Sequence, residues 1–312
     1  MPSFIRGALS VVFLAVAITS GCSRTDEEPK VPVETQRQQE QQKPFVIGLI
    51  PERQIYAQLE RYQPLADYIS QKIGRKVKLS ILPRYGNIID NFLSSGMDAA
   101  FFGSFTYALA HHKIGLEVLA RPECPDGIST YYGLIFVRKD SGIRSARDMK
   151  GKVFAFVDKA TTAGYLLPLA YFKAAGIKNY KRYLKETYFA GTHEDAIRDV
   201  LEKKADIGAA KNTVFDSRAN TDARVRNELT ILERSPDVPE NALAVRKDLD
   251  STIKNKLRDT LLNMHEDPEG RKVIETFGAR KFIVTTDDDY APVDIYAKDI
   301  GLDLATYDYM ND

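Results

Sequence analysis

Short, β-rich apolar segments alternate along this chain with longer segments whose apolar residues recur at helical spacing. Pro64 is predicted to open the first helix, because proline is tolerated in a first turn, and Gly74 to end it. Further helices are predicted at 87–95 and from about Ser104, between strands at Phe45–Ile50, Val77–Leu82, Asp98–Phe102 and Glu117–Ala120. This β-α-β-α-β order indicates a parallel sheet covered by helices on both faces.

A second group of the same kind follows. It predicts a helix at Thr161–Ala175, another begun by a capping-box-like Thr192, a last one at Asp250–Met264, and strands at Tyr132–Val137, Lys152–Val157, Asp206–Ala210, Leu229–Leu232 and Ala242–Val245. Two such groups joined by the proline-rich return Ser235–Pro239 predict two lobes around a cleft. The predicted fold class is therefore α/β, with two Rossmann-like lobes at residues 45–128 plus 240–312 and at residues 129–239.

The first residues predict targeting rather than folded structure. Residues 1–21 combine a positive n-region at Arg6 with an apolar core, Ala8–Ile18, that is short for a membrane span, as in a signal peptide. Thr19–Cys22 resembles a bacterial lipobox, so Cys22 is predicted to carry lipid, with a plain secretory signal as the alternative. Residues 22–44 are rich in Gln, Glu, Lys and Pro and predict a disordered tether. The predicted location is the cell envelope, with a lipid anchor in a bacterial membrane and the protein facing the periplasm or the exterior.

Composition and motifs argue against several functional classes. Lys plus Arg (44) nearly balances Asp plus Glu (43), so no general attraction to nucleic acid is expected. Cys124 is the only cysteine besides Cys22, so we expect no internal disulfide and interpret Cys124 as a bystander thiol. The histidines show no metalloprotease spacing, and neither a Gly-x-Ser-x-Gly elbow nor a Walker-type loop occurs. We therefore expect no enzymatic activity, no cofactor and no metal.

Thr161 and Thr162 lie where the predicted strand Lys152–Val157 turns into the helix that Gly176 is expected to end. Free backbone N–H groups and the positive end of the helix dipole would meet two hydroxyl groups there, which suits an oxyanion. On these residues alone, an ordinary threonine N-cap is the simpler interpretation. Their position at the carboxyl end of a strand, where open α/β sheets bind ligands, supports the oxyanion site.

From Phe45 to about Leu249 the sequence resembles the periplasmic phosphate/phosphite/phosphonate-binding proteins of ABC transporters. The resemblance is carried by segments in order, including Pro64–Tyr68, Asp98–Gly103, Tyr131–Ile143, Lys152–Asp158, Thr161–Gly164, Ala190–His193 and Ser235–Leu249. It implies the type II periplasmic-binding-protein fold, a small oxyanion ligand, and ABC permease and ATPase subunits as partners. It also leads us to expect a monomer.

The resemblance further implies which residues bind the ligand. The family's Ser-Thr-Ser-Gly loop, which holds phosphonate oxygens, matches Thr161, Thr162 and Ala163, so that one hydroxyl is lost at Ala163. Two ligand-binding tyrosines match Tyr85 and Tyr131, and a histidine matches His193 with one residue inserted before it. Taken singly, the tyrosines also read as strand-end aromatics and His193 as a surface residue. Several donors around one loop favour binding.

The chain departs from the family where aminoalkylphosphonate binders use acidic residues for the ligand's ammonium group. Those positions hold Thr213 and Asn241, and the family's cleft tryptophan matches Phe101. Without a carboxylate, a buried ammonium group would lack its partner, so phosphite, phosphate or a small alkylphosphonate is expected instead. Lys211 is expected either to add positive charge or to be a solvated loop residue. Lys211, Asn241 and Phe101 are thus secondary candidates.

A ligand-sensing subunit of a membrane signalling system is the alternative function. The same pair of closing lobes would then report a ligand to a membrane partner. No membrane-spanning or signalling segment follows the second lobe in this sequence, which favours transport.

Overall fold

The computed structural model describes residues 43–311. The predictions for the signal peptide, for lipidated Cys22 and for nearly all of the tether lie outside these residues. Each of the two main sheets, with the helices packed against it, forms a lobe. The first sheet has the strand order β13-β4-β12-β3-β1-β2 and consists of β1 (Phe45–Leu49), β2 (Val77–Ile81), β3 (Ala99–Phe102), β4 (Glu117–Glu123), β12 (Ala242–Val245) and β13 (Lys281–Val284).

The second sheet is organised in the same way. Its strand order is β10-β6-β9-β7-β8, and its strands are β6 (Gly133–Arg138), β7 (Val153–Phe156), β8 (Glu186–Phe189), β9 (Ile207–Lys211) and β10 (Leu229–Arg234). Where the chain passes between the lobes, β5 (Thr130–Tyr131) pairs with β11 (Val238–Pro239) in an antiparallel ladder of two strands. The two connections therefore run side by side.

Helices cover both faces of both sheets. The first lobe carries α1 (Ile55–Ile73), α2 (Asn87–Ser94), α3 (Ser104–Ile114), α9 (Ser251–Asn263), α10 (Pro268–Phe277) and α11 (Ala291–Asp299). The second carries α4 (Leu167–Ala174), α5 (Tyr180–Tyr183), α6 (His193–Leu201), α7 (Asn212–Thr221) and α8 (Ala223–Glu228). Short 3₁₀ turns at Lys139–Ser141, Ala146–Met149 and Asp287–Tyr290 complete the elements. Because helices bury both faces, strands such as β3 read as continuous apolar runs.

The prediction of all-parallel sheets is wrong for both lobes. In the second lobe, β6 runs antiparallel to its neighbours β9 and β10. In the first lobe, β1 pairs with β2 and β3 in parallel, as predicted, but β12 lies antiparallel between β3 and β4. The reason is the return from the second lobe. β12 begins with Ala242 opposite Phe102, the last residue of β3, so it enters the sheet from the cleft side and must run the other way.

The start predicted for the first helix is also wrong. α1 begins at Ile55 and passes through Pro64, which lacks the N–H that would bond one turn back. Burial on both sides of the proline holds the helix, because Tyr62 and Leu65 pack into the same core. Gly74 ends it in a left-handed conformation (φ 72°), as predicted.

Most of the other predicted elements are confirmed to within about two residues, but several C-terminal ones were not predicted. α10, β13 and α11 belong to this group. After α11 the chain contacts both lobes: the Tyr309 hydroxyl donates to Asp90 at 2.5 Å, and the Asn311 amide donates to Asp158 at 2.9 Å. Within residues 43–311, no helix combines the length and the apolar character needed to cross a membrane.

Candidate functional site

A small cavity lies between the lobes, where strands of both sheets end. Its volume is about 10 Å³, room for about one water molecule and far below the roughly 300–1,000 Å³ of sites for drug-sized ligands. Gly103 follows β3, Thr161 follows β7 and Lys211 ends β9, so the cavity has the position at which open α/β sheets bind ligands. Its lining consists of Ile50, Glu52, Tyr85, Gly103, Thr106, Tyr131, Thr161, Thr162, Ala163, His193, Lys211 and Asn241.

The helix after β7 begins with a wide turn. Thr162–Leu166 is π-helical, with the Leu166 N–H donating to the Thr161 carbonyl at 3.1 Å, and it continues directly into α4. Two glycines allow this turn to fit. A Cβ at Gly164 would lie 2.4 Å from the Val157 Cβ, and one at Gly133 would lie 2.8 Å from the Ala163 Cα. The predicted helix therefore starts where expected, but as a π turn, a geometry often found at functional sites.

The two threonine hydroxyls have different roles. Thr161 Oγ1 donates to the Asp158 carbonyl at 2.6 Å and makes no side-chain capping bond to the helix, unlike an ordinary N-cap. Thr162 Oγ1 accepts from the Phe105 N–H and from the Tyr131 hydroxyl, both at 3.0 Å. Since both bonds use oxygen lone pairs, the Thr162 proton remains available to a further acceptor.

A second helix begins on the opposite side of the cavity. Gly103 precedes α3 in an extended conformation, and the first turn of α3 reaches across to the Thr162 turn. The Thr106 hydroxyl also crosses, donating to the Ala160 carbonyl at 2.8 Å. Each lobe therefore directs the positive end of a helix dipole towards the same small space, which favours a negative charge there.

Two buried donors on the cavity wall lack acceptors. The Tyr85 hydroxyl and the Asn241 amide nitrogen have no hydrogen-bond partner within residues 43–311. Leaving such a group unpaired costs roughly 1–3 kcal/mol, which native proteins rarely tolerate without a reason. Burial raises the pKa of Tyr85 well above its ordinary value of 10, so its hydroxyl stays protonated and able to donate. Both groups are therefore suited to a ligand that supplies acceptor oxygens.

His193 contributes as a neutral ring. It is only 4% exposed, at the start of α6, which Thr192 caps by accepting from the Asp195 N–H at 2.9 Å. Burial, with the charge of Lys211 acting in the same direction, lowers the pKa of His193 to about 4. Its Nδ1 accepts from the Lys211 N–H at 3.3 Å, which leaves the proton on Nε2. The surface interpretation of His193 is thus wrong.

Lys211 is neither in a loop nor solvated. It is the last residue of β9, one position beyond the predicted strand, and is 3% exposed. Its Nζ donates to Glu52 Oε1 at 3.2 Å, to Asn241 Oδ1 at 3.1 Å and to Glu240, and it lies 4.3 Å from the centre of the Tyr131 ring. We call Lys211, Glu52 and Glu240 the charged cluster.

Electrostatic interactions within the charged cluster keep Glu52 and Lys211 ionised. Burial acts to raise the pKa of Glu52, but the charges of Lys211 and of nearby Arg61 outweigh it and lower that pKa to about 2. Burial likewise acts to lower the pKa of Lys211, while Glu240 and Glu52 raise it above its ordinary value. One ammonium and two carboxylates leave a formal charge of −1, so Lys211 does not provide the net positive charge expected of it. Sequence reasoning missed both glutamates, although Glu52 follows a predicted strand and Glu240 precedes Asn241.

Phe101 does not line the cavity, whereas the other candidates do. Successive side chains of a strand point to opposite faces, and Phe101 enters the core under α1, with its ring centre 5.1 Å from that of Tyr62. Thr213 lies in a neighbouring cavity with Cys124 and Glu240. The predicted candidates that meet at the cavity are Thr161, Thr162, Ala163, Tyr85, Tyr131, His193, Lys211 and Asn241.

The chain is similar to known proteins over most of its length. Residues 47–290 match the family model described as the periplasmic substrate-binding protein of a phosphonate ABC transporter. The phosphonates-binding periplasmic protein of Escherichia coli is 27% identical over 259 residues, which cover 82% of this chain and 76% of that protein.

Two solved structures share the fold. A binding protein of a phosphonate ABC transporter from Pseudomonas aeruginosa has a TM-score of 0.77 and 26% identity, covering 83% of this chain and 87% of that one. A protein from Prochlorococcus marinus, solved with methylphosphonate, has a TM-score of 0.73 and 19% identity, covering 83% and 98%. The family match spans most of the chain, and the two-lobed type II binding-protein fold accompanies it. The chain therefore belongs to the family of periplasmic substrate-binding proteins of phosphonate ABC transporters.

Proposed function

We propose that the protein captures a small phosphorus oxyanion, namely phosphite, phosphate or a small alkylphosphonate, in the cavity between its lobes and delivers it to an ABC importer. As a family member it is a periplasmic substrate-binding component, which works with transporter subunits and is not an enzyme. One observation carries the choice of ligand. The Tyr85 hydroxyl and the Asn241 amide are buried donors with no acceptor among the described residues, and they share a cavity with Thr162 and two helix N-termini.

The chemistry of these donors fits a tetrahedral oxyanion. Thr162 Oγ1, Tyr85 Oη and His193 Nε2 each have a proton to donate, and the first turn of the Thr162 helix adds backbone N–H groups. Tyr131 supports this set indirectly, because its hydroxyl occupies a lone pair of Thr162 Oγ1 and so directs the threonine proton elsewhere. Converging neutral donors and helix dipoles stabilise an anion without a cation from the protein.

Calorimetric titration of the fragment from Lys43 tests the proposal. Methylphosphonate, phosphite and phosphate are titrated beside sulfate, a tetrahedral anion of similar size, and 2-aminoethylphosphonate. At least one of the three phosphorus anions without an amine should bind, and at a hundred times its Kd it should stabilise the fold by roughly 2.7 kcal/mol. If none of the three anions gives heat of binding, or if sulfate binds as tightly as all of them, the proposal is refuted.

We also propose that the lobes comprise residues 45–128 plus 240–312 and residues 129–239, and that they close over the ligand. The hydrogen bonds from Phe105 to Thr162 and from Thr106 to Ala160 run between the lobes and support a closing motion about the two connections. Small-angle scattering should show a smaller radius of gyration when a binding anion is saturating. An unchanged radius would argue against closure.

Lipid at Cys22 and a monomeric state complete the proposal. The n-region, the short apolar core and the lipobox-like end support the lipid anchor. The Cys22→Ser protein should leave the membrane fraction, whereas equal retention of variant and wild type would contradict the anchor. Light scattering of the fragment from Lys43 should give the mass of one chain, and the mass of a dimer would contradict the monomer.

A further inference from the structure

The charged cluster has the composition of a binding site for an ammonium group. Two carboxylates, an amide oxygen and the face of an aromatic ring surround a single Nζ, that of Lys211. We propose that Lys211 determines specificity: its ammonium group fills a cation subsite made by Glu52, Glu240, Asn241 and Tyr131, and so excludes ligands that carry their own ammonium group. This role rests on the function proposed above, because the excluded ligands are aminoalkyl relatives of the same oxyanions.

We call this subsite the ammonium cage, and its three acceptor side chains, unlike Tyr131, do not belong to the lysine's own lobe. Glu52 follows β1, while Glu240 and Asn241 follow β11 where the chain re-enters the first lobe. Lys211 reaches them from the end of β9 in the second lobe. Glu52 and Glu240 are 5% and 6% exposed, so neither is a solvated surface carboxylate that happens to meet a lysine. The cage is thus a preformed set of buried acceptors into which a tethered ammonium group inserts.

The cage has a hydrogen-bond acceptor that Lys211 does not satisfy. Glu240 Oε2 is buried and has no hydrogen-bond partner within residues 43–311. The formal charge of the cluster is −1 with the lysine present and becomes −2 when the ammonium group is removed. A site with more acceptors than the protein supplies donors for favours a primary ammonium group. Such a group offers several N–H donors and also interacts with the face of an aromatic ring.

The cage lies at a defined distance from the oxyanion donors. Tyr131 belongs to both, because its ring faces Lys211 Nζ at 4.3 Å while its hydroxyl donates to Thr162 Oγ1 at 3.0 Å. The two subsites are therefore about one tyrosine side chain apart. A short aminoalkyl chain attached to a phosphorus oxyanion has this reach, so 2-aminoethylphosphonate is the ligand that Lys211 would displace from the cage.

The first experiment compares two ligands that differ only in a terminal group, 2-aminoethylphosphonate and propylphosphonate. Their affinities are measured by calorimetry for wild type, Lys211→Ala and Lys211→Met. The alanine opens the cage, whereas the methionine removes the charge but keeps the lysine's volume. The affinity ratio of the amine to the propyl compound should rise at least tenfold in Lys211→Ala and stay near the wild-type ratio in Lys211→Met. An unchanged ratio in Lys211→Ala would overturn the assigned specificity.

The second experiment needs no oxyanion. Thermal unfolding of the same three proteins is followed in ethylammonium chloride and in sodium chloride at equal ionic strength. Ethylammonium should raise the Tm of Lys211→Ala above its value in sodium chloride and leave wild type and Lys211→Met unchanged. Equal Tm values in both salts for Lys211→Ala would overturn the cage. Should that variant not fold, Lys211→Ala combined with Glu240→Gln keeps one carboxylate for one ammonium group and carries the same expectations.

The two experiments separate this inference from the proposed function. If wild type binds methylphosphonate but Lys211→Ala gains neither ethylammonium stabilisation nor a changed ratio, the function stands and the cage is refuted. If ethylammonium stabilises Lys211→Ala but no phosphorus anion binds any of the proteins, the cage stands and the proposed function, with the specificity drawn from it, is refuted.

Discussion

The two ends of the cavity satisfy their polar groups in opposite ways. At the neutral-donor end, formed by Thr162, Tyr85, Tyr131 and His193, the Tyr85 hydroxyl has no acceptor among the described residues. In the charged cluster, the ammonium group of Lys211 contacts both glutamates. The difference follows from energy: an unpaired buried neutral donor costs roughly 1–3 kcal/mol, whereas breaking a buried ion pair costs roughly 3–5 kcal/mol. Neutral groups can therefore await a ligand, whereas each buried charge needs a partner of opposite sign from the protein itself.

The largest effect is expected when the charged cluster is broken. Lys211→Met leaves Glu52 and Glu240 buried without their cation, and the free energy of unfolding should fall by about 3–5 kcal/mol. Lys72→Met is the matched control, because Lys72 pairs with Asp267 at 2.7 Å on the surface, where water screens the pair and its loss should cost little stability. Urea unfolding of both proteins measures the difference. Equal losses would mean that burial does not strengthen the dependence on Lys211.

A pH series tests whether His193 belongs to the neutral end. Its pKa of about 4 in the folded protein lies below its ordinary value of 6.5, so only the unfolded chain takes up the proton between these values. Stability should therefore fall as the pH drops from 6.5 to 4, by up to about 3 kcal/mol at roughly 1.4 kcal/mol per unit. His193→Asn, which keeps an acceptor for the Lys211 N–H, should flatten this slope in urea unfolding. If His193→Asn leaves the slope unchanged, a group other than His193 is responsible for it.

Within the neutral-donor end, substitutions of the two threonines should differ in their effects on ligand affinity and on stability. Thr162→Val removes a proton that can reach the ligand, so affinity for the best anion should fall about ten- to a hundredfold, or about 1.5–3 kcal/mol. Thr161→Val removes a bond to the Asp158 carbonyl and should cost about 1 kcal/mol of stability with a smaller change in affinity. Thr162→Ser keeps the hydroxyl and serves as the control. A lower affinity for Thr161→Val than for Thr162→Val would contradict the assignment of Thr162 as the residue that donates to the ligand.

The smallest expected change in stability is one that is neutral or favourable. Tyr85→Phe removes a buried hydroxyl that lacks a partner among the described residues, so stability should stay level or rise by about 1 kcal/mol, while affinity for the oxyanion falls about tenfold. Tyr68→Phe is the control, because the Tyr68 hydroxyl donates to Asp267 at 2.8 Å and its loss should lower stability. Thermal unfolding measures the stability of both variants, and calorimetric titration measures their affinity for the oxyanion. A destabilised Tyr85→Phe with unchanged affinity would mean that the hydroxyl is structural.

Prediction from the sequence worked where local chemistry decides the outcome. Gly74 and Gly176 end their helices in left-handed conformations, and Thr192 caps α6, because each depends on residues within one helical turn. Pro64 shows the limit of this reasoning. Its missing N–H is a local signal for a helix start, but the burial of Tyr62 and Leu65 on either side of it outweighs the lost bond.

The apolar pattern and the order of motifs by themselves determined two α/β lobes, the strand-to-helix turn at Thr161–Thr162, and the family. Only the tertiary structure decided that Phe101 lies in the core and that β12 runs antiparallel. It also decided the charge of the site, because Lys211 meets Glu52 across 159 positions of the chain. The physical reason is range: periodicity and capping act over a few residues, whereas the neutralisation of a buried charge depends on which distant groups folding brings into contact.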